Sequence, residues 1–148
     1  MELYVDDAGF VRGPAPLVYR RLTHMAAWAD WWPGARIRAA GASVPDEAWM
    51  VELTGARGRR LRYEIRPHGW RHEHGFLLAL RGDVTGAGEF WLEPTHGGTV
   101  VHHLLVATTD LPRPVRVLAD HRRAVRRGLW GLKDAIQLEA RTSIGLAP

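Results

Sequence analysis

The C-terminal stretch from Leu111 to Arg141 constrains the fold more than any other part of the sequence. At about 100° per residue its apolar side chains fall on one stripe, and His121 lies on the flank of that stripe. Pro112 and Pro114 suit the first turn of a helix. The stripe consists of Leu118, Val125, Leu129, Leu132 and Ile136, and the opposite side carries Arg116, Arg123, Arg127 and Asp134.

Such a helix, capped by Thr109 or Asp110, would contain about 25–30 residues and span about 40 Å. Because an apolar stripe of that length has to be covered along its whole course, we expect the helix to lie across one large apolar surface. Gly128 and Gly131 fall within it, and each costs about 1 kcal/mol relative to alanine. They indicate a bend, or a ligand or strand that comes close to the helix backbone.

Two short helices are predicted directly after a first strand. The segment from Leu3 to Arg12 is predicted to be a strand, because Leu3 and Val5 alternate with Tyr4 and Asp6, and an irregularity is expected at Asp7-Ala8-Gly9. The segment Gly13-Pro14-Ala15-Pro16 ends that strand and begins a helix, since proline is tolerated in a first turn. A second short helix or turn carries Trp28, Trp31 and Trp32 and stops at Pro33-Gly34.

The middle of the chain predicts an antiparallel sheet, because apolar and polar residues alternate with a period of two. The predicted strands cover residues 36–39, 49–54 and 60–66, then Trp70–Leu80, Val84–Glu93 and Gly98–Thr109. The predicted turns are Gly41–Asp46, Gly55–Gly58 and Pro67–Gly69. With the first strand, the sheet has about seven strands, each with one buried face.

The last hairpin has a register that the sequence itself predicts. If the turn Thr95-His96-Gly97-Gly98 places Pro94 opposite Thr99, then Leu92 lies opposite Val101 and Phe90 lies opposite His103. Those four side chains share one face, while Glu89, Trp91, Glu93 and His102 point to the other. Two glutamates mark the second face as the outer one. We therefore expect His103 to point into the interior.

Histidine is the residue type best suited to acid–base chemistry near neutral pH. Besides His103 and His121, we expect His72 and His74 to point inward, because they share a strand face with Trp70. Tyr63 is also predicted to point inward and would supply a phenol. These five polar side chains are our candidate catalytic residues, although each histidine could equally fill space and bond to its neighbours. The set is His72, His74, His103, His121 and Tyr63.

The predicted inner faces also supply apolar side chains for contact with a ligand. Seven tryptophans in 148 residues suit either a large core or an aromatic ligand site. The candidate ligand-binding residues are Trp32, Trp49, Trp70, Phe90, Leu92, Val101, Leu118 and Val125. Trp130 instead falls on the charged side of the long helix, which indicates a surface contact or packing under a terminal segment.

Composition narrows the class of protein. The net charge of +4 comes from 19 arginines and one lysine set against 16 acids, which indicates codon usage of a GC-rich genome more than a nucleic-acid-binding surface. There are no cysteines and no run of about 18 apolar residues. Acids near Met1 do not suit a signal peptide. We expect one cytoplasmic domain over residues 1–148, with no nucleic-acid partner and no integral membrane association. The sequence does not indicate the oligomeric state.

Three stretches resemble the START-like superfamily, also known as the polyketide cyclase/dehydrase and lipid-transport, Bet v 1-like or SRPBCC superfamily. They are Gly13-Pro14-Ala15-Pro16-Leu17-Val18-Tyr19, then Trp28-Ala29-Asp30-Trp31-Trp32-Pro33-Gly34, and finally the hairpin segment from Gly86 to Thr99. The resemblance implies an α+β helix-grip fold, in which a curved antiparallel sheet wraps around the C-terminal helix. It also implies an apolar cavity between sheet and helix that binds a small hydrophobic molecule.

The resemblance does not select one activity. One hypothesis is an enzyme that catalyses cyclisation or dehydration of a polyketide, aromatic or lipid molecule by acid–base chemistry, without a cofactor or a metal. Another is a non-catalytic carrier or receptor, and a third is a protein-interaction module that uses the basic helix face and Trp130. Family cyclases are thought to use inward arginines, but the residue before Pro67, Arg66, is predicted to point outward, with Ile65 inward.

Overall fold

A computed structural model of the chain describes residues 2–40 and 48–145, with side chains to residue 142. Within these residues the strands are β1 (Glu2–Val11), β2 (Arg36–Ala39), β3 (Trp49–Thr54), β4 (Arg60–Arg71), β5 (Gly75–Gly82), β6 (Thr85–Thr95) and β7 (Gly98–Thr108). The α-helices are α1 (Ala15–Thr23), α2 (Trp28–Trp31) and α3 (Pro114–Gly145), and short 3₁₀ helices cover Met25–Ala27 and Ala56–Gly58. The predicted turn at Gly41–Asp46 lies outside the described residues.

The strands form one antiparallel sheet in the order β1-β7-β6-β5-β4-β3-β2. This order puts β1 and β2 at opposite edges, with α1 and α2 linking them. The helix α3 contacts β1, β3 and β4 and lies across the sheet. Its buried residues include Val117, His121, Val125, Leu132 and Ile136. The predicted α+β helix-grip architecture is therefore confirmed.

The register of the last hairpin is confirmed as well. Pro94 pairs with Thr99, Leu92 with Val101 and Phe90 with His103. The turn needs only His96 and Gly97, and Gly97 has a φ of 82°, a conformation that glycine adopts without strain. A two-residue turn leaves no freedom to slip, so the sequence alone was enough to orient His103 inward.

The prediction for the β4–β5 hairpin was wrong. No turn forms at Pro67–Gly69, because β4 continues to Arg71 and its pairing with β5 is irregular between His68 and Arg71. The chain instead reverses at residues 72–74, where Glu73 has a φ of 62°. This irregularity changes which side chains point inward after residue 68, since each one-residue shift moves every side chain to the opposite face.

The long helix begins three residues later than predicted, at Pro114. Arg113 has a φ of 59°, which breaks the helical path just before it. Thr109 accepts a hydrogen bond from the Leu111 amide at 3.2 Å and donates one to the Asp83 carbonyl at 2.7 Å. It therefore ties the connection to the β5–β6 turn and does not cap α3. No helix in the described parts of the chain combines the length and apolar character needed to cross a bilayer.

Candidate functional site

Two histidines meet in the interior between the sheet and α3. His103 on β7 and His121 on α3 lie 3.3 Å apart between their Nε2 atoms, and they are 4% and 1% exposed. In a neutral pair, one ring donates through Nε2–H and the other accepts at a bare Nε2. The two rings are therefore opposite tautomers. As a result, one ring has an Nδ1 acceptor and the other has an Nδ1–H donor on the side away from the contact.

A carboxylate faces this pair from the edge strand. Asp7 on β1 is the register partner of His103 on β7. Its charge acts on His121, and its Oδ1 lies 3.6 Å from the Arg122 guanidinium. We call Asp7, His103 and His121 the polar cluster. The sequence analysis missed Asp7, because the irregularity that it expected at Asp7-Ala8-Gly9 is absent: β1 pairs with β7 in unbroken register, so Asp7 continues the inward face of Leu3 and Val5.

Most of the unsatisfied polar atoms in the interior belong to this cluster. Among the described residues, four buried side-chain nitrogen or oxygen atoms have no hydrogen-bond partner. Three of them are Oδ2 of Asp7, Nδ1 of His103 and Nδ1 of His121, and the fourth is Nε1 of Trp31. An unsatisfied buried polar group costs about 1–3 kcal/mol. Three in one place mark a point where the fold has retained polarity at the expense of stability.

Burial keeps both histidines uncharged near neutral pH. It lowers the pKa of His103 to about 4, although a weak hydrogen bond with the Glu89 backbone, outside the geometry of a well-formed one, acts in the opposite direction. Burial and the neighbouring His103 lower the pKa of His121 to about 3, while the Asp7 charge acts to raise it. Two neutral imidazoles can hold a hydroxyl or carbonyl group, but they are weak bases in this closed arrangement.

Aromatic side chains surround the polar cluster. The Phe90 ring lies 4.7 Å from His103 between centroids, and Phe76 and Trp28 lie 5.7 and 6.3 Å from Phe90. Tyr63 on β4 is buried, its ring centre is 6.4 Å from His121, and burial raises the pKa of its phenol. The phenol is therefore a neutral group next to two neutral imidazoles.

The tryptophan-rich α2 closes this interior from one side. The Trp32 indole donates a hydrogen bond to the Ala124 carbonyl of α3 at 3.0 Å. A Cβ at Gly128 would come within 2.5 Å of the same indole, and one at Gly131 would collide with the Trp31 carbonyl oxygen. The two helix glycines therefore admit α2 against the α3 backbone, which explains why they are tolerated inside a helix.

The predicted placement of His72 and His74 was wrong. Both lie in the β4–β5 turn and are exposed. His72 contacts Glu73 at 3.3 Å and the edge of the Tyr19 ring, with 5.5 Å between ring centroids. Neither residue belongs to the interior that holds His103. Across the described residues, no group of three or more metal-ligating side chains is placed to hold one ion.

The apolar candidates divide in the same way. Trp70 is 45% exposed and packs on Phe76 from outside, so its predicted inward position was wrong. Trp49 and Leu118 are only partly buried, at the margin of the core. The remaining candidates are buried between sheet and helix, as predicted: Trp32, Phe90, Leu92, Val101 and Val125. Arg66 points outward and bonds to Glu64, while Ile65 is buried, also as predicted.

The five pockets that we describe are surface clefts and none is lined by the polar cluster, so the apolar cavity that the resemblance implies is not among them. One, of about 280 Å³, lies between β1 and α3 beside Phe10 and Trp130. Trp130 is 64% exposed, as predicted, and Lys133 lies over its ring.

Arg127 was predicted to lie on the charged side of the long helix, but it is partly buried and donates a hydrogen bond to the Thr54 carbonyl at 3.4 Å. The interaction-module hypothesis stays a prediction.

The architecture recurs in solved structures. The Zhui aromatase/cyclase from Streptomyces sp. R1128 superposes with a TM-score of 0.76 and 15% identity, over 97% of this chain and 98% of that chain. A START superfamily protein from Mycobacterium smegmatis superposes with a TM-score of 0.75 and 12% identity, over 91% and 97%. This chain has the fold of the START superfamily.

The di-domain ARO/CYC protein StfQ of the steffimycin biosynthetic pathway also has this START fold in part. It matches with a TM-score of 0.69 and 18% identity over 95% of this chain, which spans 52% of that protein. No family model and no curated protein sequence matches the chain. At these identities the likeness establishes the fold alone, so the function has to be argued from the residues.

Proposed function

We propose that the protein binds a small, largely apolar molecule between the sheet and α3, and that the polar cluster holds a polar group of that molecule. The observation that carries the proposal is the concentration of buried polar atoms without a well-formed hydrogen bond on Asp7, His103 and His121, where a backbone contact, from Glu89, acts on His103 alone. Buried polar groups in proteins are nearly always satisfied. A ligand that brings its own donor and acceptor would satisfy these atoms in the bound state.

The chemistry of the cluster favours a neutral polar group. Both imidazoles are uncharged near neutral pH, and Asp7 already supplies one negative charge close to Arg122. A second anion in this buried place would lack a cation to pair with. A hydroxyl or carbonyl on an aromatic or alicyclic body suits both the cluster and the rings of Tyr63 and Phe90.

Binding requires the interior to open, because aromatic side chains fill the space in the conformation described. The tryptophans of α2 and the residue after it form one wall of this interior, held by indole hydrogen bonds to the Leu22 and Ala124 carbonyls, so opening on this side would have to break these contacts. Two structural neighbours, the Zhui aromatase/cyclase and the ARO/CYC protein StfQ, support a ring-bearing ligand for this chain as well.

Calorimetric titration with naphthalen-2-ol, an aromatic body with one hydroxyl, tests the proposal. We expect saturable binding that weakens about tenfold in His103→Leu, since one hydrogen bond in a buried site contributes about 1.5 kcal/mol. His102→Leu is the matched control, because His102 is the next residue on β7 and stacks on Trp91 at the outer face. Equal affinities of the two variants would refute the proposal.

A second candidate function is catalysis by proton transfer in a cyclisation or dehydration. The observation in its favour is the carboxylate of Asp7, whose charge acts to raise the pKa of His121 and so favours proton uptake by that ring. If the molecule that co-purifies from the host is converted to a product, His103→Gln should lower turnover and leave affinity unchanged. In a carrier, His103→Gln would instead weaken binding of the co-purified molecule, and neither protein would convert it to a product.

A further inference from the structure

The start of α3 and the β3–β4 turn enclose a second feature, a cleft of about 540 Å³. Four arginines line it, two from the sheet side and two from the helix side: Arg59, Arg60, Arg113 and Arg116. Its walls also include Leu61 and Val117, which are 3% and 5% exposed and belong to the core. We call this feature the arginine cleft.

The charges in the arginine cleft do not balance. Arg59 binds Asp120 through both oxygens, at 2.9 and 3.0 Å, and Arg60 binds Glu52 at 2.9 Å. Asp120 is further satisfied by the Ala56 amide at 3.0 Å. Neither Arg113 nor Arg116 forms an ion pair with any carboxylate of the described residues. Four guanidinium groups line the cleft with one carboxylate, that of Asp120, on which the Arg116 charge also acts. Glu52, outside the lining, is shared between Arg60 and Arg62, so positive charge is in excess.

The arginine cleft adjoins the proposed ligand site. Asp120 at its inner end is followed directly by His121 of the polar cluster, and both are buried. Leu61 and Tyr63 point inward from the same strand. Leu61 and Val117, which are 3% and 5% exposed, separate the cleft from the interior, so an apolar chain that starts in the cleft enters the interior only when these side chains move apart.

We propose that the arginine cleft binds the anionic head of an amphipathic ligand whose apolar body enters the interior between sheet and α3. The inference rests on the proposed function, because it assigns the outer end of the same ligand. Guanidinium groups suit carboxylate and phosphate oxygens, since their planar N–H donors match two oxygens at once. The ligand is thus neutral where it meets the polar cluster and anionic where it meets Arg113 and Arg116.

Calorimetry with three probes of equal chain length tests this inference: dodecanoate, dodecyl phosphate and dodecan-1-ol, each below its micellar concentration. We expect at least one anion to bind about tenfold or more tightly than the alcohol. We also expect that advantage to shrink as salt is raised, because exposed charges are screened. Preference for the carboxylate or for the phosphate identifies the head, and either preference supports the inference.

The double variant Arg113→Gln/Arg116→Gln should bind the preferred anion about tenfold more weakly than the unmodified protein does. Its affinity for dodecan-1-ol should be unchanged. The matched control is Arg123→Gln/Arg126→Gln, which removes the same charge from exposed positions of the same helix. Equal affinity for anion and alcohol, equal losses in the two double variants, or no binding of either anion would overturn the inference. Binding of naphthalen-2-ol with its His103 dependence would still stand in each case, so this failure is distinct from failure of the proposed function.

Discussion

The polar cluster places three polar side chains where apolar ones would stabilise the fold more. His103 and His121 satisfy each other through one Nε2 contact at 3.3 Å, and Asp7 is near them with one oxygen unpartnered. Replacing a polar cluster by well-packed apolar residues is often neutral or stabilising. Its presence in the most buried part of this chain is therefore better explained by binding than by stability.

The buried histidines predict a loss of stability in mild acid. Their folded-state pKa values lie below the ordinary value of 6.5, so between pH 6.5 and about 4 the unfolded chain binds protons that the folded chain does not. The free energy of unfolding should therefore fall as pH falls through this window, by at most about 1.4 kcal/mol per pH unit for each histidine. Urea unfolding at pH 7 and pH 5 measures it.

The double variant His103→Leu/His121→Leu should flatten this pH dependence whatever its effect on stability at pH 7. The exposed turn residue His96 provides the control, since His96→Gln leaves both buried imidazoles in place. A dependence that persists in the double variant would show that other groups cause it.

Two of the contacts that join α3 to other elements lie on either side of His121. At its middle, α2 packs on the backbone at Gly128 and Gly131. Near its start, Asp120 binds Arg59 and the Ala56 amide of the β3–β4 turn. The helix is thus joined to the β3–β4 turn before His121 and to α2 after it.

The close approach of α2 predicts an unusual effect of alanine in a helix. By helix propensity alone, Gly131→Ala should stabilise the protein by about 1 kcal/mol. We expect a destabilisation of about 2 kcal/mol or more, because the new Cβ collides with the Trp31 backbone, which a side-chain rotation cannot relieve. Thermal or urea unfolding measures the sign. Ala119→Gly, at an exposed position of the same helix, calibrates the propensity term, and a stabilised Gly131→Ala would show that α2 does not pack as described.

The contact near the helix start predicts that Asp120→Ala destabilises the protein by about 2 kcal/mol, since it leaves the Ala56 amide and the Arg59 guanidinium without their acceptor. Burial acts to raise the pKa of Asp120, but hydrogen bonds from Arg59 and Ala56 hold it below its ordinary value of 3.8. Its stabilisation is therefore present above pH 3.8 and lost as pH falls below that value. Arg57→Ala in the same turn is the control, and unchanged unfolding in Asp120→Ala would contradict this account.

For the molecule as a whole, the sequence predicted the features that depend on residues close together in the chain. The two-residue turn before Gly98 fixes the β6–β7 register, and with it His103, while helical periodicity identifies the buried side of α3. The prediction was wrong for residues 67–74. Pro67 and Gly69 suggested a turn, but both lie within β4, whose pairing with β5 is irregular there. Because of that error, His72, His74 and Trp70 were predicted to point inward, whereas all three are exposed. The pattern along β1 can give the face on which Asp7 lies, but nothing local to either residue predicts that its charge acts on His121 of α3.

The central claim is that a ligand contacts the polar cluster inside the START fold. Long-range ¹H–¹⁵N spectra of the histidine side chains report each ring nitrogen separately, so they test the claim directly when naphthalen-2-ol is added. The account predicts shifts of Nδ1 in His103 and His121 that saturate with the binding curve, and no shift in the exposed His72 and His96. Unchanged signals of His103 and His121 at saturating naphthalen-2-ol would contradict it.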